Sequence, residues 1–208
     1  MPVVVVASPK GGVGKSTLAT NVAGYWASAG RSVLLGDVDP QQSSQLWLQR
    51  RPEHAPQIEL WPVRPHYIVR PSDETLPAVL DTPAGLDSGR LRSAVRVADA
   101  VLVPLQPGVF DMAATSDFID ALQEMQDYRS FSIALVGMRV DGRTQAAEQL
   151  QEFLQDLAPP AVAMLRQTQN YVQLAARGLT IFDGAPSRVH KDLEQWRTLG
   201  QWLDEIDA

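Results

Sequence analysis

The sequence predicts one α/β domain over residues 1–208, built on a mainly parallel sheet with helices on both faces. Three observations carry that reading. Four consecutive valines, Val3–Val6, run into the stretch Ser8-Pro9-Lys10-Gly11-Gly12-Val13-Gly14-Lys15-Ser16-Thr17, and unbroken β-branched runs suit strands buried on both faces. Short apolar runs then alternate with longer segments of helical period, the pattern of parallel strands joined by crossover helices. Two later runs lead into aspartates, Asp37 and Asp81, where ligands gather at the carboxyl edge of such a sheet.

Taken in order, the first helix is predicted over about 15–29, with Leu18, Val22 and Trp26 on one face and Gly30 as its stop. A strand follows over 32–36 and delivers Asp37-Val38-Asp39-Pro40-Gln41, where Pro40 disfavours helix at Asp39. Residues 43–51 read as helix, with Leu46 and Trp47 as its apolar part. The proline-rich stretch 52–77 is the least regular; 58–63 reads as a strand, and His54 and His66 read as surface residues. A short strand at 78–80 ends in Asp81-Thr82-Pro83-Ala84-Gly85. Then come a helix at 88–97, a strand at 100–105, a helix capped by Asp111 and running to about 126, a strand at 132–137, a helix at 144–157 and a strand at 161–165. A helix at 171–177 stops at Gly178, and one final helix covers 187–206.

Composition narrows the function classes. Hydrophobic residues at 45% and charged residues at 20% are ordinary globular values. There is no cysteine, which excludes disulfides and thiolate-held metal clusters. No apolar run approaches the roughly 20 residues of a membrane span, and the first residues enter a strand without a charged leader and cleavage site. The expected location is cytoplasmic. A net charge of −6 gives no global attraction to nucleic acid, so any DNA contact needs a local or dimer-made basic patch.

The loop after the first strand is read as a polyphosphate cradle. Its glycines let successive N–H groups turn inward, and the helix that follows adds its positive dipole end. Lys15 reaches the β- and γ-phosphates, Ser16 offers its hydroxyl to Mg²⁺ and Thr17 helps hold the loop. The alternative is a glycine-rich turn with chance lysines. Lysine usage decides against it: only Lys10, Lys15 and Lys191 are lysines, and two of the three lie here. A compact ammonium suits a narrow phosphate cradle where a planar guanidinium does not. Asp81, after a buried strand and before a glycine turn, reads either as an ordinary turn residue or as a carboxylate that holds Mg²⁺ directly or through water, and Asp37 and Asp39 read either as solvated turn residues or as functional carboxylates.

The run Lys-Gly-Gly-Val-Gly-Lys-Ser-Thr over 10–17 has Pro9 where the strict phosphate-loop pattern has glycine. It resembles the deviant loop of the ParA/MinD ATPases, in which a second lysine, here Lys10, precedes the glycines. Leu34-Leu35-Gly36-Asp37-Val38-Asp39-Pro40-Gln41 resembles the family's second box and first switch, and Asp81 to Gly85 its third box and second switch. The resemblance implies a Mg²⁺-dependent ATPase. Lys10, Lys15 and Asp39 would be its catalytic residues, Asp39 placing the water. Residues Lys10, Gly11, Gly12, Val13, Gly14, Lys15, Ser16 and Thr17 would hold ATP, with Pro107, Met138 and Arg139 near the base, and Ser16, Asp37 and Asp81 near the metal. The family commonly has Asn-Arg where this chain has Met138-Arg139.

In the family, the residue at Lys10 reaches the partner's phosphates in an ATP-bound sandwich homodimer. The resemblance to small ParA proteins further implies nonspecific DNA binding and nucleoid association of the ATP dimer, with a ParB-like activator. Arg166, Arg177, Arg188 and Lys191 are the DNA-binding candidates, although Thr168 stands where an arginine is common. A MinD-type membrane switch is the competing reading, and it needs a basic amphipathic carboxy-terminal helix. The tail instead carries Asp192, Glu194, Asp204, Glu205 and Asp207, with Leu193, Trp196, Leu199, Leu203 and Ile206 as a core-facing stripe. A metabolic phosphoryl-transfer enzyme, such as a dethiobiotin-type synthetase, is the third reading. Lys10 and the Asp37 to Gln41 run favour the switch.

Overall fold

The computed structural model describes residues 1–64, 67–73 and 75–207; His66 therefore lies outside the described residues. Seven strands form one parallel sheet: β1 Val3–Val6, β2 Val33–Asp37, β3 Ile58–Leu60, β4 Ala78–Asp81, β5 Ala100–Leu105, β6 Ser132–Val140 and β7 Ala161–Arg166. Their order across the sheet is β3-β2-β4-β1-β5-β6-β7. The helices are α1 Lys15–Ser28, α2 Ser43–Gln49, α3 Ser88–Val95, α4 Val109–Gln126, α5 Gln145–Gln155, α6 Gln169–Ala175, α7 Pro186–Gln195 and α8 Arg197–Asp207, with a 3-10 turn at Ile181–Asp183.

The valine run shows why the sheet is double-faced. Val3 and Val5 point into one core with Leu91 of α3, Phe118, Ile119 and Leu122 of α4, and Leu150 of α5. Val4 and Val6, their period-2 neighbours, point into the other with Leu18, Val22 and Trp26 of α1, Trp196, and Leu199 and Leu203 of α8. All four are buried, so neither face tolerates a polar residue. Strand β1 sits centrally, with β4 on one side and β5 on the other. The chain moves first toward β2 and later across to β5, and crevices form at the carboxyl ends beside such a reversal.

Several boundaries differ from those predicted. Asp111 does not cap α4; the helix starts at Val109 after Gly108, and Asp111 lies in its first turn, where a carboxylate still favours the positive helix end. Strand β6 continues through Met138 and Arg139 to Val140, so these two residues belong to the strand rather than following it. Its end is irregular: the register against β7 shifts and Arg139 has φ 53°. The helix predicted at 171–177 starts earlier, because the Thr168 side chain accepts from the Asn170 N–H and caps it. The single final helix is two, broken at Trp196. That indole is buried, stacks edge-on with Phe182 at 5.2 Å and donates to the Tyr171 hydroxyl. Leu46 is half-exposed rather than part of the core.

The carboxyl-terminal end of helix α2 is held by the tertiary structure. Arg51, just beyond it, forms a buried ion pair with Asp183 at 3.1 Å and donates to the Gly178 carbonyl. Trp47 donates to the Leu179 carbonyl at 3.3 Å. Among the described residues no helix is long and apolar enough to cross a membrane.

Candidate nucleotide site

The loop after β1 curls between three strand ends. Gly12 and Gly14 have φ of 75° and 104°, in the left-handed region that favours glycine. At Gly14 a Cβ would also lie 2.9 Å from Met138 Cε, the far end of a flexible side chain that can shift, so the positive φ is the stronger demand for glycine there. The loop is pinned from both sides: the Gly85 N–H donates to the Ser8 carbonyl at 3.3 Å, and Gln106 Nε2 donates to the Gly12 carbonyl at 3.0 Å. No local pattern marks Gln106, whose partner is 94 residues away.

Lys15 is buried at the first position of α1, and its ammonium donates across the loop to the Lys10 carbonyl at 3.1 Å. Burial draws its pKa down from the ordinary value, opposed by the charges of Asp81 and Asp39. The Lys10 side chain is half-buried at the rim and has no ion-pair partner among the described residues. Ser16 and Thr17 are half-buried and line the cleft described below. Gly11 is exposed and Val13 buried.

The carboxylates occupy adjacent strand ends, with Asp37 of β2 and Asp81 of β4 in register. Asp37 organises the following loop: Oδ1 accepts the Asp39 N–H at 2.9 Å, and Oδ2 accepts the Ser44 and Gln45 N–H groups at 2.9 and 3.1 Å. It thereby satisfies the start of α2 from outside the helix. Burial raises its pKa, and the three N–H groups oppose that rise. Asp39 is half-exposed, and its Oδ1 accepts the Gln41 N–H at 2.8 Å.

Asp81 is fully buried. Burial pushes its carboxyl up to about 7, against the pull of the Ser16 and Ser44 hydroxyls and the Lys15 ammonium. Ser44 Oγ donates to Oδ2 at 2.7 Å, while Oδ1 is buried without a hydrogen-bond partner among the described residues. A buried carboxylate oxygen left open beside a serine hydroxyl and an ammonium is costly unless something else satisfies it. An oxygen-preferring cation such as Mg²⁺ fits that donor set.

Beyond the loop lies a cleft of about 610 Å³. Gly14, Ser16 and Thr17 form its floor, Met138 and Arg139 one end, and α2 and the β7–α6 segment its walls. Among the described residues its lining includes Arg50, Arg139 and Arg166 but no carboxylate, which suits an anionic ligand. Pro107 is half-buried beside Gln106 and is not part of this lining. Of the DNA-binding candidates, Arg177, Arg188 and Lys191 are exposed. Arg166 instead lines the cleft, with its Nε on buried Asp192 at 2.5 Å.

The profile of the CobQ/CobB/MinD/ParA nucleotide binding domain matches residues 4–181. The maintenance of carboxysome distribution protein A of Gloeobacter kilaueensis is 30% identical over 206 residues, covering 97% of this chain and 94% of that one. The chromosome-partitioning ATPase Soj of Thermus thermophilus is 29% identical over 186 residues, covering 73% and 74%. In structure, MinD of Aquifex aeolicus superimposes with a TM-score of 0.75 over 99% of this chain and 97% of its own, at 21% identity. The matched span holds the phosphate loop, the three carboxylates and both walls of the cleft, and the chain belongs to the CobQ/CobB/MinD/ParA nucleotide-binding family as a ParA/MinD-type ATPase.

Proposed function

We propose that this ATPase is a dimerisation switch whose ATP cycle positions DNA or another cellular cargo. The observation that carries the reading is the division of labour between two lysines. Lys15 is buried in the loop and turned onto the Lys10 carbonyl, whereas Lys10 keeps its own ammonium at the rim with no carboxylate paired to it among the described residues. A cation placed there is suited to neutralise phosphate charge on a second copy, coupling association to ATP as an arginine finger does. Mg²⁺ would be held by Ser16 and the open Oδ1 of Asp81, with Asp37 ordering the loop beside it. When bound it would supply charge neutralisation for the polyphosphate. Asp39, on the turn after β2, orients the attacking water.

The relatives named for partition and carboxysome distribution support location as the output of the switch. A nucleoid-bound ATP dimer, contacting DNA nonspecifically through Arg177, Arg188 and Lys191 and released by a ParB-like activator, is the form this takes. The membrane alternative gains no support from the tail: Trp196, Leu199 and Leu203 are buried in the core, so α8 spends its apolar stripe on packing.

Sedimentation at saturating ATP and Mg²⁺ tests the reading. Lys10→Ala is expected to bind nucleotide and stay monomeric, and Lys15→Ala to lose nucleotide binding outright. A Lys10→Ala protein that fills with ATP and dimerises like the wild type removes the switch mechanism.

A further inference from the structure

A second polar network lies behind the cleft, and among the described residues no hydrogen bond or ion pair joins it to the loop. At its centre is Asp192 of α7, a fully buried carboxylate. Burial of such a group is costly unless both oxygens are paired. Here Arg166 Nε donates to Oδ1 at 2.5 Å, and Asn170 Nδ2 donates to Oδ2 at 2.6 Å. Three residues on, Gln195 Oε1 accepts the Arg166 N–H at 2.9 Å, and the adjacent Trp196 Nε1 donates to the Tyr171 hydroxyl at 2.9 Å.

Positions 192, 195 and 196 follow i, i+3, i+4 spacing and share one helix face. That face grips the β7–α6 segment at Arg166, Asn170 and Tyr171. Arg166 and Tyr171 line the cleft, and Asp192, Gln195 and Trp196 do not. The α7 residues thus act on the cleft only through the wall they hold.

We infer that Asp192 is a positioning residue for the nucleoside end of the cleft, fixing Arg166 and the start of α6 in the arrangement that receives base and sugar. The inference rests on the assignment of this cleft to the nucleotide. An arginine at the end of an edge strand otherwise samples many rotamers, and ordering it at the moment of binding costs affinity. Asp192 settles that ordering during folding. Among the described residues no hydrogen bond or ion pair joins the phosphate loop to this network, so the polyphosphate end of a ligand is held by other groups.

That separation supplies the test. ADP and inorganic tripolyphosphate are titrated calorimetrically, each with Mg²⁺, into the wild type, Asp192→Asn, Arg166→Gln and the double variant. Asp192→Asn is expected to weaken ADP about tenfold, the scale of one lost charge-assisted hydrogen bond, and to leave tripolyphosphate within about twofold. Arg166→Gln gives the same pattern, and the double variant loses no more than either single one. Should Asp192→Asn fail to fold, Arg166→Met/Asp192→Leu removes the pair without orphaning a charge and is held to the same comparison. Unchanged ADP affinity, or equal losses for both ligands, overturns the positioning role. A wild type that binds tripolyphosphate as tightly as ADP overturns instead the assignment of the cleft to the nucleoside.

Discussion

The Ser44 hydroxyl donates to Asp81 Oδ2 at 2.7 Å, joining the first turn of α2 to the end of β4 across 37 positions of sequence. The Ser44 N–H at the same time donates to Asp37 Oδ2. One buried serine therefore ties together the two carboxylates that stand in register at the sheet edge, and movement of the loop between Asp37 and α2 is felt at Asp81.

Ser44→Ala removes the hydrogen bond that Oδ2 of this fully buried carboxylate accepts, leaving the Ser16 hydroxyl and the Lys15 ammonium as its favourable neighbours. A loss of about 1–3 kcal/mol is expected, the cost of an unsatisfied buried group. Urea unfolding of the nucleotide-free protein measures it; wild-type stability would show that Asp81 does not depend on this hydroxyl.

Asp39→Ala is expected to keep nucleotide affinity and lose turnover by about 100-fold or more, the range for a removed proton-handling or water-orienting group. Among the described residues its carboxylate accepts one hydrogen bond, from the Gln41 N–H, and it acts on Lys15 only through its charge, so the loop's backbone cradle survives its removal. The variant should accumulate as an ATP-bound dimer in size-exclusion chromatography. Turnover at the wild-type rate would move the water-orienting role to another group.

Gly178→Ala is expected to cost about 3 kcal/mol or more. Gly178 has φ 69°, and a Cβ there would collide with the backbone of Arg50 and Arg51. That backbone is fixed by the buried Arg51–Asp183 pair and cannot yield cheaply. Thermal unfolding decides; an unchanged midpoint would mean that the α2 terminus relaxes.

Asp99→Asn tests the opposite end of the sheet. The carboxylate accepts the Val3 N–H at 2.8 Å and pairs with Arg70 and Arg129. Burial alone would raise its pKa, but the Arg70 hydrogen bond, the Val3 N–H and the two guanidinium charges hold it below the ordinary carboxylate value. A depressed folded pKa contributes stability above the unfolded pKa of about 4 and loses it as pH falls through the folded value. Asp99→Asn should be less stable than the wild type at pH 7, by about 1–3 kcal/mol, and the gap should close in acid. A gap that stays constant down to pH 2 would assign the loss to packing.

What the sequence determined by itself is local: glycine, valine and lysine at fixed spacing specify strand, loop and helix without reference to the rest of the chain. Val3–Val6, the loop through Thr17, and the aspartates after β2 and β4 were legible for that reason. So was the alternation that gives a parallel sheet. What only the tertiary structure decided involves partners far apart in sequence. Ser44 and Gln106 look like ordinary loop-side polar residues until folding brings them to Asp81 and Gly12. Arg166 reads as an exposed basic residue, and pairing with Asp192 draws it into the cleft wall. The break at Trp196 has the same origin: the residues around it have helical period on both sides, and its contacts with Phe182 and Tyr171 set where one helix ends and the next begins. Burial and pairing are properties of the assembled layers, so a linear pattern can name the residue types the site needs but not which polar groups end up holding them in place.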